Sequence, residues 1–207
     1  MIVRLTALVR ILLGVVCLVN GFNWFFKIIT PYPSISDFVH YMPPPDIVGA
    51  MIEQGVLFHL AKATEVATGI ALLANRLVPL SLVIAMPVTV TVFLVDVFKP
   101  EFRLRAFLMG TGSLTMNLAL LMAYQHHYRA MLAWRARPAE PGEADPPAEG
   151  GALAEAADAL SRALLPALLA ISALLGLVMT GWLAVMIAQY AADPKAIYEV
   201  RHMMPRP

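Results

Sequence analysis

Long apolar runs separated by short polar breaks dominate the sequence, and their lengths predict membrane-spanning helices. The breaks between the runs carry proline, asparagine and charged residues, as in Asn75-Arg76 and Lys99-Pro100-Glu101. A spanning helix needs about 20 mostly apolar residues. Five stretches meet this requirement: residues 5–29, 47–74, 77–98, 102–124 and 160–190. The pattern therefore predicts an all-α, polytopic membrane protein.

The first apolar run is expected to remain in the membrane as an uncleaved span. It continues to Ile29 without a small-x-small cleavage site, and it is longer than the apolar region of a signal peptide. Residues 34–46, which follow it, are too short and too polar to cross the bilayer. Their aromatic side chains are typical of the membrane interface, so this segment is predicted to lie there.

The composition changes abruptly after the fourth apolar run. Residues 138–157 consist mostly of alanine, proline, glycine and acidic residues, and such a segment cannot bury enough apolar surface to fold alone. We expect a four-helix transmembrane bundle in residues 1–137, a flexible acidic linker at 138–157, a fifth transmembrane helix in 158–190 and a polar tail at 191–207.

The overall composition supports an integral membrane protein and excludes some other classes. The chain is 59% hydrophobic and 14% charged, whereas soluble domains are about 25% charged. Its net charge of +1 is spread without a dense basic patch, so the expected environment is a lipid bilayer and no nucleic acid partner is predicted. One cysteine, Cys17, excludes an internal disulfide. Basic residues divide almost evenly between the two sides, and Arg4 and Arg76 favour a cytoplasmic N-terminus.

The second apolar run contains three polar side chains that a membrane helix carries only at a cost. A charged side chain at the centre of a spanning helix costs about 2.5–3.5 kcal/mol on insertion scales. His59, Lys62 and Glu65 are three residues apart, so a helix places them on a single side. Gly69 continues that surface and allows a neighbouring backbone to approach closely. We therefore expect these side chains to have polar partners or a function.

Counting residues from the predicted helix ends suggests which polar groups are level with one another. This count predicts a structural ion pair between Arg10 and Glu65, places Asn20 level with His59, and places Asn117 level with Lys62. The candidate ligand-binding residues are thus His59, Lys62, Glu65, Asn20 and Asn117. The alternative is that these groups only form hydrogen bonds between helices.

The sequence has no recognisable catalytic set. It contains no cluster with metal-ligand spacing, no glycine-rich phosphate loop and no nucleophile with a base at a known spacing. His59 is predicted to lie deep in the membrane and His126 and His127 at its surface, so they are not expected to share a haem. No catalytic residue and no metal ligand is assigned, and the chain is not expected to be an enzyme on its own.

Two motifs in the first helices resemble the DoxX-like family of small bacterial membrane proteins. The first helix carries Arg10-Ile-Leu-Leu-Gly14 and then Asn20-Gly21-Phe22-Asn23. The second carries Lys62-Ala-Thr-Glu65-Val-Ala-Thr-Gly69-Ile-Ala-Leu-Leu, followed by Asn75-Arg76 and a third helix with Ala85-Met86-Pro87 near its middle. The resemblance covers residues from about 4 to 128, and Arg10 and Glu65 match polar positions of the family.

This resemblance implies a compact four-helix bundle in a bacterial cytoplasmic (inner) membrane. Some relatives are subunits of quinone-linked sulfur oxidation and others assemble with redox enzymes, which suggests a non-catalytic, accessory subunit of a membrane redox assembly, with quinone as a possible cofactor. Two alternatives remain open: a small transporter or ligand-binding bundle, with a pocket around His59, Lys62 and Glu65 for a quinone headgroup or an anion, and a purely structural membrane protein. The partner would be a larger redox complex or a second copy of the chain.

Overall fold

The described part of the chain forms five α-helices and a short 3₁₀ helix. The computed structural model describes residues 1–26, 50–51, 54–98, 104–132 and 152–192, and no strand occurs among them. Apart from a helical pair at residues 50–51, the elements are α1 (Ile2–Phe26), α2 (Leu57–Leu73), α3 (Val78–Val97), α4 (Leu104–Ala123), the 3₁₀ helix (Gln125–Leu132) and α5 (Ala152–Ala192). The predicted all-α class is confirmed.

The helices are arranged as two antiparallel pairs with the long α5 beside them. α1 packs against α2, α3 packs against α4, and α5 lies against both α1 and α4. We call the end where α1 begins and α2 ends the N-terminal face, and the other end the opposite face. The apolar core lies mainly where α1, α4 and α5 meet, and includes Leu13, Met116, Leu120, Leu169 and Met179.

Glycines bring the backbones of α1 and α2 into direct contact. A Cβ atom on Gly69 would lie 2.7 Å from the backbone nitrogen of Leu18, and one on Gly21 would lie 2.9 Å from the carbonyl oxygen of Lys62. Small residues permit such close approach between membrane helices, as predicted for Gly69. Gly14 lies against Leu72 and Leu73, so the part of α1 before Gly14 continues beyond the end of α2. The two helices are therefore staggered.

A buried amide joins α3 and α4. Asn117 is fully buried and its Nδ2 donates to the Thr89 hydroxyl (3.1 Å) and the Leu82 carbonyl (3.4 Å). Gly110 on the same helix approaches the backbone of α3 at Phe93, while Gly112 faces Met179 of α5. The small and polar residues of α4 thus pack against two different neighbours, α3 and α5.

The fifth helix is longer than the sequence pattern predicts, and it packs on the chain's own bundle. α5 begins at Ala152, so residues 152–157 of the predicted linker are helical. Alanine, leucine and glutamate are strong helix formers, and Glu155 in the first turn is favourable near a helix N-terminus. The remaining predicted linker, the interfacial segment at 34–46 and the tail beyond residue 192 lie outside the described residues.

Polar contacts at the N-terminal face tie the start of α5 and the 3₁₀ helix to the bundle. Gln125 donates to Asp158 (2.9 Å) and accepts from the Ser161 hydroxyl (2.6 Å). The Tyr128 hydroxyl donates to the carbonyl of Pro79 at the start of α3 (2.8 Å). Partial burial raises the pKa of Tyr128 to about 12, so this hydroxyl remains protonated and a donor at neutral pH.

Length and composition make this an integral membrane protein with several spans. Within the described residues, four helical segments are long and apolar enough to cross a bilayer: Ile2–Phe26, Val78–Val97, Ala106–Ala123 and Glu155–Gln189. α2 lies in the second predicted span, residues 47–74. It has 17 described helical residues, which extend over about 26 Å at 1.5 Å per residue. Large apolar side chains cover the outer surface, as at Leu60 (61% exposed) and Leu174 (65%), which indicates a lipid environment.

We expect Gly69→Ala to destabilise the protein, because the added Cβ meets the backbone of α1 and the helices must separate. Overpacking of this kind costs about 1–3 kcal/mol. Thermal unfolding in mild detergent measures the effect. The matched control is Gly181→Ala in α5, where an added Cβ has no neighbour within 4 Å and the better helix propensity of alanine predicts no loss. Equal melting temperatures for the two variants would contradict the close contact.

Candidate ligand site between the helices

A buried ion pair lies in the middle of α2. The Nζ of Lys62 is 2.9 Å from Oε2 and 3.1 Å from Oε1 of Glu65, and the two residues are only 6% and 7% exposed. They are three positions apart on one helix, so their side chains meet across a single turn. The lysine also lies over the ring of Phe58, with 5.4 Å between Nζ and the ring centroid. Each charge thus has a partner where solvation is poor.

The first helix contributes a third member to this cluster. The Nδ2 of Asn20 donates a hydrogen bond to Oε2 of Glu65 at 3.0 Å. The contact is possible because Gly21, the next residue, lies against the backbone of α2. A carboxylate that accepts hydrogen bonds from an ammonium group and an amide is held in one orientation. Asn20, Lys62 and Glu65 therefore form one fixed cluster, which we call the Glu65 cluster.

The predicted ion pair between Arg10 and Glu65 is wrong. Arg10 donates instead to the carbonyl oxygen of Leu72 in the last turn of α2, where carbonyls lack partners within their helix and a cation is favourable. The prediction counted depth from helix ends that it assumed to be flush. Because the two helices are staggered at Gly14, Arg10 meets the end of α2, and Asn20 is the α1 residue that reaches Glu65.

Two other predicted site residues lie away from the Glu65 cluster. His59 is exposed in the first turn of α2, its Nδ1 is 2.6 Å from the carbonyl oxygen of Gly55, and its ring packs edge-on against Trp24. The expected hydrogen bond to Asn20 does not form, because Asn20 bonds to Glu65. Asn117 is level with the cavity described next but bonds to α3, and Thr89 stands in front of it.

A cavity of about 380 Å³ separates the two helix pairs and reaches the Glu65 cluster. Glu65 and Asn20 lie on its wall, whereas Lys62 does not. One stripe of α3 forms much of the wall at a helical spacing, from Ala85 through Thr89 to Asp96. The other polar residues on the wall are Cys17, Thr64 and Ser113. The cavity therefore extends from mid-membrane to Asp96, one residue before the end of α3 at the opposite face.

Sequence reasoning missed several residues of this wall. Asp96, Thr64, Thr89 and Ser113 line the cavity and are not among the candidate residues predicted from the sequence. For Thr89 and Asp96, the signal is the recurrence of small or polar residues at positions 85, 89 and 96, on one side of an otherwise apolar helix. Such a stripe faces either a packed neighbour or a space, and only the structure distinguishes these.

The remaining histidines do not extend the site. His126 and His127 are exposed on the 3₁₀ helix at the N-terminal face, far from His59 near the opposite face. Among the described residues, no group of three or more histidine, cysteine or acidic side chains lies close enough together to hold a metal ion. The described residues of the cavity wall offer hydrogen-bonding and charged groups within a largely apolar lining.

The fold and the enclosed polar cluster define a helical membrane protein with an internal cavity. Residues 5–97, which include α1, α2 and α3, match the model of the DoxX family. This part of the chain is similar to a DoxX domain, in agreement with the resemblance of its sequence motifs, and it supplies the Glu65 cluster and most of the cavity wall. No curated protein and no solved structure matches the chain significantly. α4 and α5 lie beyond the matched residues.

Replacing one member of the buried Lys62–Glu65 pair should lower the stability of the protein far more than replacing both members. We expect Lys62→Met or Glu65→Leu alone to cost about 3–5 kcal/mol, because each leaves an unpaired buried charge. The double variant Lys62→Met/Glu65→Leu should lose much less than the sum. Unfolding in detergent, analysed as a double-mutant cycle, measures the coupling.

The matched control for this cycle is Arg10→Leu combined with Glu65→Leu. Arg10 contacts the end of α2 and not the carboxylate, so we expect the losses for this combination to add within about 0.5 kcal/mol. Strong coupling of Arg10 to Glu65, with none between Lys62 and Glu65, would contradict the observed pairing.

Proposed function

We propose that this protein binds a lipid-soluble small molecule in the cavity between its two helix pairs. The observation that carries the proposal is the position of Glu65, a buried carboxylate that is oriented by Asn20 and Lys62 and lies on the wall of a partly open cavity of about 380 Å³. Binding sites in membrane helix bundles combine an apolar enclosure with a few fixed polar groups. This arrangement has both.

The hydrogen bonds on the wall indicate the chemistry of the ligand. The Thr64 hydroxyl donates to the Leu60 carbonyl, the Thr89 hydroxyl donates to the Met86 carbonyl, and the Asn20 amide donates to Glu65. The Thr89 hydroxyl also accepts from Asn117, and the carboxylate accepts from Lys62 and Asn20, but the hydroxyl oxygens and the carboxylate each have more lone pairs than these bonds use. A ligand that donates hydrogen bonds therefore fits this wall best.

A donor-bearing ring such as a quinol fits this wall better than an anion does. Two carboxylates, those of Glu65 and Asp96, line the cavity, and the ammonium group of Lys62 lies behind Glu65 and outside the wall. An anion would approach the carboxylates without a direct contact to the lysine. The hydroxyl groups of a quinol can donate to Glu65 and to the threonine oxygens. Among the ligands considered from sequence, the quinone class is retained in its reduced form.

In the cell, the protein would act as an accessory subunit of a redox assembly in a bacterial cytoplasmic membrane. The match of residues 5–97 to the DoxX family supports this role, since the resemblance implies relatives that work with quinone-linked enzymes. Such a subunit would contribute a quinol-binding site and would not itself catalyse a reaction. The ligand site and the accessory role make separate predictions.

Decylubiquinol, kept reduced under argon, should bind to the protein in lipid nanodiscs at a single saturable site. The double variant Lys62→Met/Glu65→Leu should lose about tenfold or more in affinity, because a hydrogen bond to a charged group is worth about 1.5–3 kcal/mol. Ser113→Leu, which fills the cavity, should have a similar effect. Equilibrium binding of the radiolabelled quinol measures both.

Two comparisons make this binding experiment decisive. Ala184→Leu, on the exposed face of α5, adds the same side chain outside the cavity and should leave the affinity unchanged. Oxidised decylubiquinone, which has no hydroxyl donors, should bind more weakly than the quinol. Binding no greater than that of protein-free nanodiscs would overturn the proposed ligand.

The accessory role predicts a stoichiometric partner. Purification in mild detergent at native expression level, followed by mass spectrometry, should recover another redox protein together with this chain. The same preparation of a variant lacking residues 193–207, which lie beyond α5, examines whether the tail contributes to the association. A chain that runs alone, or only with copies of itself, would remove the accessory role and leave the ligand site to be judged separately.

A further inference from the structure

A second hollow lies on the outer surface of the bundle, where the two helix pairs meet at α2 and α3. It is a groove of about 390 Å³ between α2 and α3, lined by an alanine row at Ala63, Ala67 and Ala71 and by Leu80 and Ile84. No charged residue lines it. The groove runs from Thr64 toward the N-terminal face for about seven residues of α2, or about 10 Å.

The groove and the inner cavity meet at one residue. Thr64 lines both spaces, and its neighbour Glu65 faces only the inner one. On α3 the change occurs between adjacent residues, since Ile84 faces the groove and Ala85 faces the cavity. The two spaces are therefore separated by the width of the α2–α3 contact at this level, and the side chain of Thr64 stands in that contact.

The backbone of α3 is weakened at the same level. Pro87 lies inside this helix and has no N–H group, so one hydrogen bond between helical turns is missing there. Helices bend most readily at such positions. Bending of α3 at Pro87 would separate Ile84 and Ala85 from Thr64 and would join the groove to the cavity.

We propose that the ligand is an amphiphile with an apolar chain, and that it enters from the lipid between α2 and α3, with Thr64 and the Pro87 bend controlling the passage. This inference rests on the proposed function. The polar ring lies at the Glu65 cluster, and the chain passes Thr64 and lies in the groove along the alanine row. The absence of charge on the groove lining and its continuity with the site at Thr64 distinguish this occupant from a polar solute entering past Asp96.

Photo-crosslinking locates the chain directly. The probe is decylubiquinol with a diazirine at the end of its decyl chain, incubated with the full-length protein in nanodiscs and irradiated. We expect adducts on peptides containing Ala67, Leu80 and Ile84, and we expect excess unmodified decylubiquinol to suppress them. Ala67→Trp, which fills the groove, should reduce these adducts by about tenfold, whereas Ala170→Trp on the exposed face of α5 should not.

The outcomes separate this inference from the proposed function. Competable adducts near Asp96 and Ala106 would mean that the quinol binds but its chain leaves through the opposite face, which overturns the lateral route alone. Labelling of the groove that excess quinol does not suppress would mean that bulk lipid or a second protein copy occupies it, and this also overturns the route. Absence of any competable adduct, together with absence of saturable binding, would overturn both proposals.

Discussion

The structure depends on how a charged pair is kept in the middle of a short membrane helix. Lys62 and Glu65 neutralise each other across one turn of α2, but a carboxylate has more lone pairs than one ammonium group fills. Asn20 supplies the next hydrogen bond, and it can do so only because glycines allow α1 to lie directly on α2. The charge pair thus requires the close helix contact, and the contact determines which side chain of α1 reaches the pair.

The contacts within each helix pair are close and stabilise the bundle, whereas the contacts between the pairs leave space for a ligand. α1 and α2 meet backbone to backbone at Gly21 and Gly69, and α3 is joined to α4 by the buried amide of Asn117. Between these two pairs the packing is incomplete, with a cavity on the inside and a groove on the outside of the α2–α3 contact. α5 adds apolar contacts to α1 and α4, so among the described helices it packs away from the α2–α3 side.

The broad fold could be predicted because the apolar composition and the length of each run in the sequence identify a membrane helix. Two further features could be predicted from residue type and helical spacing. These are the close helix approach at Gly69 and the burial of Lys62 and Glu65. The α1 partner of Glu65 could not be predicted from the sequence. It depends on the stagger between α1 and α2, which is set by the places where their glycines meet the neighbouring backbone. Asp96 was missed for a related reason: its position near a helix end explains its polarity equally well with or without a cavity beside it.

The turn between α2 and α3 has a mechanical consequence. Asn75 and Leu77 both adopt left-handed backbone conformations, with φ of 53° and 52°. Asparagine tolerates this, whereas for leucine it costs about 1–2 kcal/mol, so the turn has a single well-defined shape held by its surroundings. Because the turn fixes where α2 and α3 are joined, any change in the angle between the two helices would displace them least at the N-terminal face and more at Thr64, about 14 Å from the end of α2.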